Sequence, residues 1–188
     1  CYRIVMRHVL SRSNRYTQPC QLSSLNDLVN VTLIENDHFK DKSKAVSLFR
    51  TPPGSNTTLN LIKAEDNSGT LFRTDHSEIG IRNSVFSRNS GCRMGVVVAE
   101  ESNVSISSSS FDSNHCERHA ARIEAGSASL SKDKNSIRIQ SCIFQNNAGG
   151  VMSVTSFHRA MIMISNSTFE KNRAKASDSG ALNLHECT

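Results

Sequence analysis

The sequence has little of what compact globular enzymes are built on. Its 188 residues include no tryptophan, two tyrosines and three prolines, and aromatic residues make up 5% of the chain. The sequence contains no run of about 18 apolar residues, which is the length needed to cross a bilayer, and no charged-then-apolar leader follows Cys1. We therefore predict no membrane-spanning segment in this chain, and a thin core made from small side chains.

The sequence also lacks the motifs that are typical of several functional classes. The sequence has no glycine-rich phosphate loop, no nucleophile elbow and no metalloprotease helix, and it indicates no cofactor. Most of the net charge of +5 comes from residues 1–50, which hold eight Lys/Arg against four acids, while the rest holds fourteen against thirteen. Because phosphate binding requires a clustered basic face, we predict no nucleic-acid partner.

What the sequence does contain is a nine-residue outline that occurs four times. The copies read IRNSVFSRN, ISSSSFDSN, IQSCIFQNN and ISNSTFEKN, each with an asparagine three residues after a phenylalanine. The phenylalanines are Phe86, Phe111, Phe144 and Phe169, and the asparagines are Asn89, Asn114, Asn147 and Asn172. The Phe-to-Phe spacings of 25, 33 and 25 residues are typical of a solenoid.

Each copy predicts strands rather than helices. Alternating apolar residues such as Ile79 and Ile81 indicate a strand with one buried face, and a second short strand follows each FxxN motif. A parallel β-helix fits both features, because equivalent residues of stacked coils lie about 4.8 Å apart in columns. The phenylalanines would then fill the coils, and the asparagines would hydrogen-bond along a turn.

The FxxN motifs alternate with small-residue tetrapeptides, which read GGVM (149–152) and SGAL (179–182), with looser MGVV (94–97) and HAAR (119–122). Over roughly residues 60–188 this pattern resembles the chlamydial polymorphic membrane proteins, with their FxxN and GGAI repeats, and related adhesin-type passengers. The resemblance implies an all-β, right-handed parallel β-helix, pectin-lyase-like, of about five to seven coils. It also implies a non-enzymatic stalk or adhesion module, extracellular or at a cell surface, that presents loops to a protein or glycan ligand.

The chain divides into three predicted segments. Residues 1–24 form a basic, poorly defined lead-in, residues 25–60 hold degenerate coils, and residues 61–188 hold regular coils expected to continue beyond the C-terminal end. In the degenerate segment VTLIENDHF (31–39) is interpreted with Phe39 in the phenylalanine column, which puts Lys42 where asparagine is expected. The 33-residue repeat is expected to carry an insertion outside the core, Ser129 to Ser136.

A carbohydrate-active enzyme is the alternative function, of the polysaccharide lyase or glycoside hydrolase type, or an inactive relative. Such an enzyme needs acids that converge on one face of adjacent coils. The candidate set is Glu100 and Glu124 with Arg122 on neighbouring coils. Because glutamates on exposed strand faces are usually solvated, the main prediction assigns no catalytic residue.

The cysteines predict one disulfide bond. Cys92 and Cys116 follow their FxxN motifs at nearly the same offset, so stacked loops would bring them within bonding distance and stabilise the fold by roughly 3 to 4 kcal/mol. Cys142 is expected to be buried and reduced beside Phe144. The pairing of Cys1, Cys20 and Cys187 stays open, and the rival interpretation is six free thiols in a reducing cytosol.

Two further motifs have weaker interpretations. HCERH could bind zinc through His115 and His119 with Cys92 nearby, but its spacing matches no standard ligand pattern, so no metal is predicted. The sequons at Asn30, Asn56, Asn103 and Asn166 are compatible with glycosylation in a eukaryotic secretory route. In a chain this rich in serine and asparagine, several sequons would arise by chance.

Overall fold

The structure is a computed structural model that describes residues 3–12, 14–16, 20–38, 47–92, 95–117, 121–125, 136–149, 151–156, 161–173 and 182–185. Their regular structure is entirely β, so none of these residues forms a helix that could cross a membrane. The strands are β1 (Arg3–Arg7), β2 (Leu10–Arg12), β3 (Arg15–Tyr16), β4 (Cys20–Gln21), β5 (Leu25–Val29), β6 (Thr32–Ile34), β7 (Asp37–His38), β8 (Ser47–Arg50), β9 (Asn56–Asn60), β10 (Lys63–Glu65), β11 (Thr70–Asp75), β12 (Glu78–Arg82), β13 (Val85–Ser87), β14 (Val97–Glu100), β15 (Asn103–Ser107), β16 (Ser110–Asp112), β17 (Ala121–Ala125), β18 (Ser136–Gln140), β19 (Ile143–Gln145), β20 (Met152–Ser156), β21 (Met161–Ser165), β22 (Thr168–Glu170) and β23 (Leu182–His185).

Three parallel sheets of seven strands each run along the molecule, and each coil contributes one strand to each sheet. Sheet 1 has the order β1-β5-β9-β12-β15-β18-β21, and sheet 2 the order β2-β6-β10-β13-β16-β19-β22. Sheet 3 has the order β4-β8-β11-β14-β17-β20-β23, and β3 pairs with β7 separately. The fold is a parallel β-solenoid, as the repeat predicts.

The phenylalanine column lies on the inner face of sheet 2. Phe86, Phe111, Phe144 and Phe169 are successive register partners, and their ring centroids are 4.7, 5.1 and 4.9 Å apart in stacked orientation. The first three rings are fully buried, whereas Phe169 in the last coil is partly exposed. A second stack lies in sheet 3, where the ring centroids of Phe49 and Phe72 are 5.2 Å apart. The ring of Phe72 also packs edge to face against Phe86.

The asparagines form a continuous ladder at the corner between sheets 2 and 3. Asn89 shows the pattern: its backbone and side-chain N–H groups both donate to Oδ1 of Asn114, at 3.1 and 2.9 Å. Its side-chain amide also donates to the carbonyl of Ala64 in the preceding coil, at 3.0 Å. Asn36 and Asn67 extend the ladder with the same contacts. The buried amides are therefore satisfied by one another and by the turn backbone.

Each coil contains three strands rather than two because the chain bends at a position that the alternation of apolar residues does not reveal. Ile79 and Ile81 lie an odd number of residues before Phe86, so one straight strand could not bury all three. The chain bends at Asn83, which has a φ of 49°, and the inward phase shifts by one residue between β12 and β13.

Similar left-handed residues stand at the other corners. Between sheets 1 and 2 they are His8, Asn30, Leu61, Asn83, Ser108, Ser141 and Asn166; between sheets 2 and 3 they are Glu35, Asp66, Arg88, Ser113, Asn146 and Lys171; between sheets 3 and 1 they are His76 and Glu101. These are all the non-glycine residues with positive φ in the described part of the chain. Left-handed backbone is thus the means by which this chain turns its corners.

The corners predict that one substitution is costly at a corner position and nearly neutral in the strand two residues later. Ser108→Val puts a β-branched residue at a φ of 48° and should cost roughly 1 to 2 kcal/mol of unfolding free energy. Ser110→Val lies in β16, where valine suits the strand, and should change stability by less than about 0.5 kcal/mol. Urea denaturation of both variants tests this, and equal losses would contradict the role of the bend.

Buried serines complete the other two corners. The Ser84 hydroxyl donates to the carbonyl of Arg82 at 2.7 Å and accepts from the Ile62 N–H of the preceding coil at 3.1 Å. Ser77 makes the equivalent contacts at the corner between sheets 3 and 1. The abundance of serine and asparagine thus follows from three corners whose polar backbone must be paired inside the solenoid.

The first 60 residues differ from the predicted organisation. The segment interpreted as a lead-in contains β1, which pairs with β5 over five residues, and β2 and β4, which pair with β6 and β8. In the next coil Leu33, not Phe39, occupies the phenylalanine column, because Leu33 is the register partner of Ala64 and Ala64 of Phe86. Asn36 accordingly takes the ladder position, while Phe39 and Lys42 lie outside the described residues.

The structure also gives the predicted insertion different bounds. Ser136 begins β18 and pairs with Met161, so it belongs to the solenoid wall. The long connection is residues 126–135, between β17 and β18, and it lies outside the described residues. The corresponding connection between β14 and β15 has only two residues, and the difference accounts for the 33-residue repeat.

Candidate functional site

The candidate catalytic residues lie on sheet 3. The register pairs Asp75 with Glu100 and Glu100 with Glu124, so three acids follow one another on consecutive coils at about 4.8 Å spacing. Arg122 pairs with Val98 in the adjacent row. The sequence predicted that Glu100 and Glu124 are neighbours, but it did not indicate Asp75. Arg122 and Glu124 are placed here by backbone register alone.

The described carboxylates on this face lie against basic side chains. Nη2 of Arg73 donates to Oε2 of Glu100 at 2.6 Å, and both side chains are largely buried. The imidazole of His76 lies between two carboxylates, 2.7 Å from Oδ1 of Asp75 and 2.6 Å from Oε2 of Glu101. Glycoside hydrolysis needs one carboxyl group to protonate the leaving oxygen and another to attack or to activate water. The observed pairs favour a structural network over that arrangement.

A disulfide bond joins Cys92 to Cys116 across two consecutive coils. Their Cα atoms are 4.7 Å apart, and both residues are buried. The backbone on either side is also paired, since Ser90 bridges His115 and the N–H of Glu117 donates to the Cys92 carbonyl at 2.9 Å. The bond therefore closes a 24-residue loop within an already aligned pair of coils.

The disulfide changes the zinc interpretation of HCERH. Cys92 has no thiol to offer a metal, and His115 is exposed at its isolated bridge. His119 lies outside the described residues. Within the described part of the chain, no three His, Cys, Asp or Glu groups are arranged to hold a metal ion.

Removal of the disulfide should destabilise the chain without unfolding it. In the chain-entropy model, the double variant Cys92→Ala/Cys116→Ala should lose roughly 3 kcal/mol of unfolding free energy. Urea denaturation with and without reductant provides the control, because reductant should affect the parent chain and leave the variant unchanged. Recovery of both residues as free thiols from protein prepared without reductant would contradict the bond.

The remaining described cysteines should differ in reactivity. Cys142 is buried in the serine column, its thiol donates to the Gln140 carbonyl at 3.2 Å, and burial raises its pKa. Cys20 is a free and exposed thiol. Iodoacetamide should therefore label Cys20 in the native chain and Cys142 only after unfolding, as peptide mapping by mass spectrometry would show. Equal labelling rates would place Cys142 at the surface.

The four sequons occupy two kinds of position. Asn30 and Asn166 stand exposed at left-handed corners between sheets 1 and 2. Asn56 is exposed at the start of β9, whereas Asn103 is half-buried and its side-chain oxygen accepts from the Ser136 N–H at 2.8 Å. The first three are the more accessible to modification.

The outer face of sheet 1 carries two adjoining depressions that the sequence did not reveal. Both are lined in part by Arg82, Ser105 and Arg138, from three consecutive coils. Gly80 lies on the floor beside Ser105, and a Cβ atom built there would meet no atom within 4 Å. The result is an open trough with a floor of small residues and an arginine on either side.

Comparison with known proteins adds no family to these observations. No protein-family model matches the chain, and no curated protein matches its sequence. A function for the chain therefore has to be argued from its geometry.

Proposed function

We propose that this chain is a non-enzymatic module of a secreted or cell-surface protein, and that it acts as a stalk or adhesion surface for a protein or glycan ligand. The observation that carries the proposal is the contrast between two faces. On sheet 3 the described acids lie against Arg73 and His76, whereas sheet 1 presents hydroxyl, amide and guanidinium groups around an open trough. Because the polar groups around the trough are free to bind a partner, they favour the presentation of a binding surface over hydrolysis.

The interior supports a rigid display function. Stacked rings fill the coils, and the asparagine and serine ladders pair the polar groups of the corners. Each coil contacts only its neighbours, so the solenoid is an elongated support whose outer residues can vary without loss of the core.

The disulfide supports an oxidising compartment, since such bonds persist in secreted proteins and are rare in the cytosol. Right-handed winding is part of the proposal, because parallel crossover connections are right-handed in about 98% of cases. Kinship with the adhesin-type passengers that carry FxxN and GGAI repeats is also part of the proposal, and the residues of the asparagine ladder favour it. Glycosylation at Asn30 and Asn166 would add sugars to the corners, whereas Asn56 borders the trough on sheet 1.

An adhesion assay tests the proposal. Beads coated with the oxidised chain should be retained saturably by cells or by an array of purified matrix proteins and glycans, and beads coated with the reduced, denatured chain should not. Equal retention of the two bead types, or of neither, would overturn the display function.

The enzyme alternative rests on the acid column Asp75, Glu100 and Glu124. An enzyme would release new reducing ends, or unsaturated uronates that absorb in the ultraviolet, from a panel of polysaccharides. Glu100→Gln should then abolish product formation, while Glu78→Gln on sheet 1 serves as the matched control. We expect no product from the parent chain, and a product lost only in Glu100→Gln would establish the alternative.

A further inference from the structure

The outer face of sheet 1 brings two arginines without a described ion pair to one depression. Arg12, Arg73 and Arg88 elsewhere on the solenoid are each paired with a carboxylate. Arg82 and Arg138 are exposed, and neither forms an ion pair with any residue that the structure describes. Glu78, the acid of the same depression, instead accepts from the Asn56 amide at 3.1 Å. Two guanidinium groups are therefore available to an external anion.

The register fixes how these arginines stand to each other. Arg82 pairs with Ser107, and Gly80 pairs with Ser105, which in turn pairs with Arg138. The arginines thus lie two coils apart, about 10 Å along the solenoid axis, on either side of a coil that presents Asn103, Ser105 and Ser107. A linear ligand lying along the axis could reach both without meeting a bulky side chain.

The side chains around the trough select the chemistry of that ligand. The outward residues of β9, β12, β15 and β18 are Asn, Thr, Ser, Gln, Gly, Glu and Arg, and none is aromatic or large and apolar. Hydroxyl and amide groups suit the hydroxyls of a sugar chain, and the guanidinium fork fits a carboxylate with two parallel hydrogen bonds. Single-stranded nucleic acid would require stacking aromatics, and a peptide would require apolar pockets.

We infer that the outer face of sheet 1, from β9 to β18, binds a linear glycan that carries carboxylate groups, with Arg82 and Arg138 each holding one carboxylate. This rests on the proposed display function and names its ligand class. A glycan with an acidic sugar at every second position matches the arrangement, since the two arginines stand on every second coil.

Binding of two hexasaccharides tests the inference. One alternates glucuronate with N-acetylglucosamine, and the other is the same chain with its carboxylates reduced to alcohols. Calorimetry should show binding of the first, weakened by salt, and at least tenfold weaker binding of the second. Equal affinity for both, or no binding of either, would overturn the inference.

Four variants localise the site. Arg82→Gln and Arg138→Gln should each weaken binding about tenfold, and Arg50→Gln, an exposed arginine on sheet 3, should leave it unchanged. Gly80→Tyr fills the floor between the arginines, and it should fold because the space beside Gly80 is open. It should weaken binding at least tenfold with an unchanged urea midpoint. If the sheet 1 variants bind like the parent chain, the site is wrong.

The adhesion assay separates this inference from the function on which it rests. Saturable bead retention without binding of the acidic hexasaccharide would overturn the glycan class and leave display intact. Loss of bead retention in Arg82→Gln and Arg138→Gln, together with loss of hexasaccharide binding, would support both. Beads that are not retained at all would remove the display function itself.

Discussion

Replacement of Phe111 by alanine should lower the free energy of unfolding by roughly 4 kcal/mol. The ring is fully buried and stacks on both sides, 4.7 Å from Phe86 and 5.1 Å from Phe144. Its removal leaves a cavity in the core and breaks two ring contacts, each worth about 0.5 to 1.5 kcal/mol beyond burial. Urea denaturation followed by circular dichroism measures the loss.

Phe169→Ala is the matched control for this prediction. Phe169 has one ring neighbour, Phe144 at 4.9 Å, and it is already partly exposed. The same substitution there should cost about half as much, since less apolar area is lost from burial. Equal losses at the two positions would mean that stacking on both sides contributes nothing measurable.

Asn114→Ala should cost a similar amount, roughly 4 kcal/mol, although it removes no apolar contact. The Asn114 side chain accepts from the backbone and side-chain N–H groups of Asn89 and donates to Asn147 and to the Phe86 carbonyl. Alanine leaves the Asn89 backbone N–H without its acceptor and the Phe86 carbonyl without its amide donor. Each buried group deprived of a partner costs about 1 to 3 kcal/mol.

The control for the ladder is an asparagine outside it. Asn56 is exposed, and its amide donates only to the Glu78 carboxylate. Asn56→Ala should change the unfolding free energy by less than about 0.5 kcal/mol. If Asn114→Ala were equally mild, water would be replacing the missing amide, and the ladder would not stabilise the corner.

The sequence predicted the parts of the fold where one residue type repeats in one role. Phe86, Phe111, Phe144 and Phe169 indicated both the column and its register. The column positions of the earlier coils were not identified because Leu33 and Ala64 fill the same column with smaller side chains, although Asn36 and Asn67 keep the three-residue offset. The repeated LFRT at residues 48–51 and 71–74 was the other available signal, and it marks the second aromatic stack.

The corners could not be predicted from hydrophobic alternation. A residue in the left-handed region shifts the inward phase by one position, and residues as different as Leu61, Arg88 and Ser108 adopt it here. Their conformation is imposed by the ladders on either side rather than by their own preference. A pattern based on residue type therefore merges two strands into one.

The candidate binding face was hidden for a different reason. Arg82 and Arg138 are 56 residues apart in the sequence, and they come to line the same depression only when coils of unequal length are stacked. The acid column was partly visible, because Glu100 and Glu124 are one coil apart. What the sequence could not indicate was that Arg73, from the coil before, holds the Glu100 carboxylate.

The disulfide also determines how the solenoid would respond to mechanical load. A pull on the two chain ends peels coils one at a time, since each coil bonds only to its neighbours. The covalent path through Cys92 and Cys116 bypasses the 24-residue loop between them, so roughly 80 Å of chain cannot be extended. Phe111 and Asn114 lie inside that loop and carry no tension. The solenoid under load would thus lose other coils first and keep a force-free segment between the two cysteines.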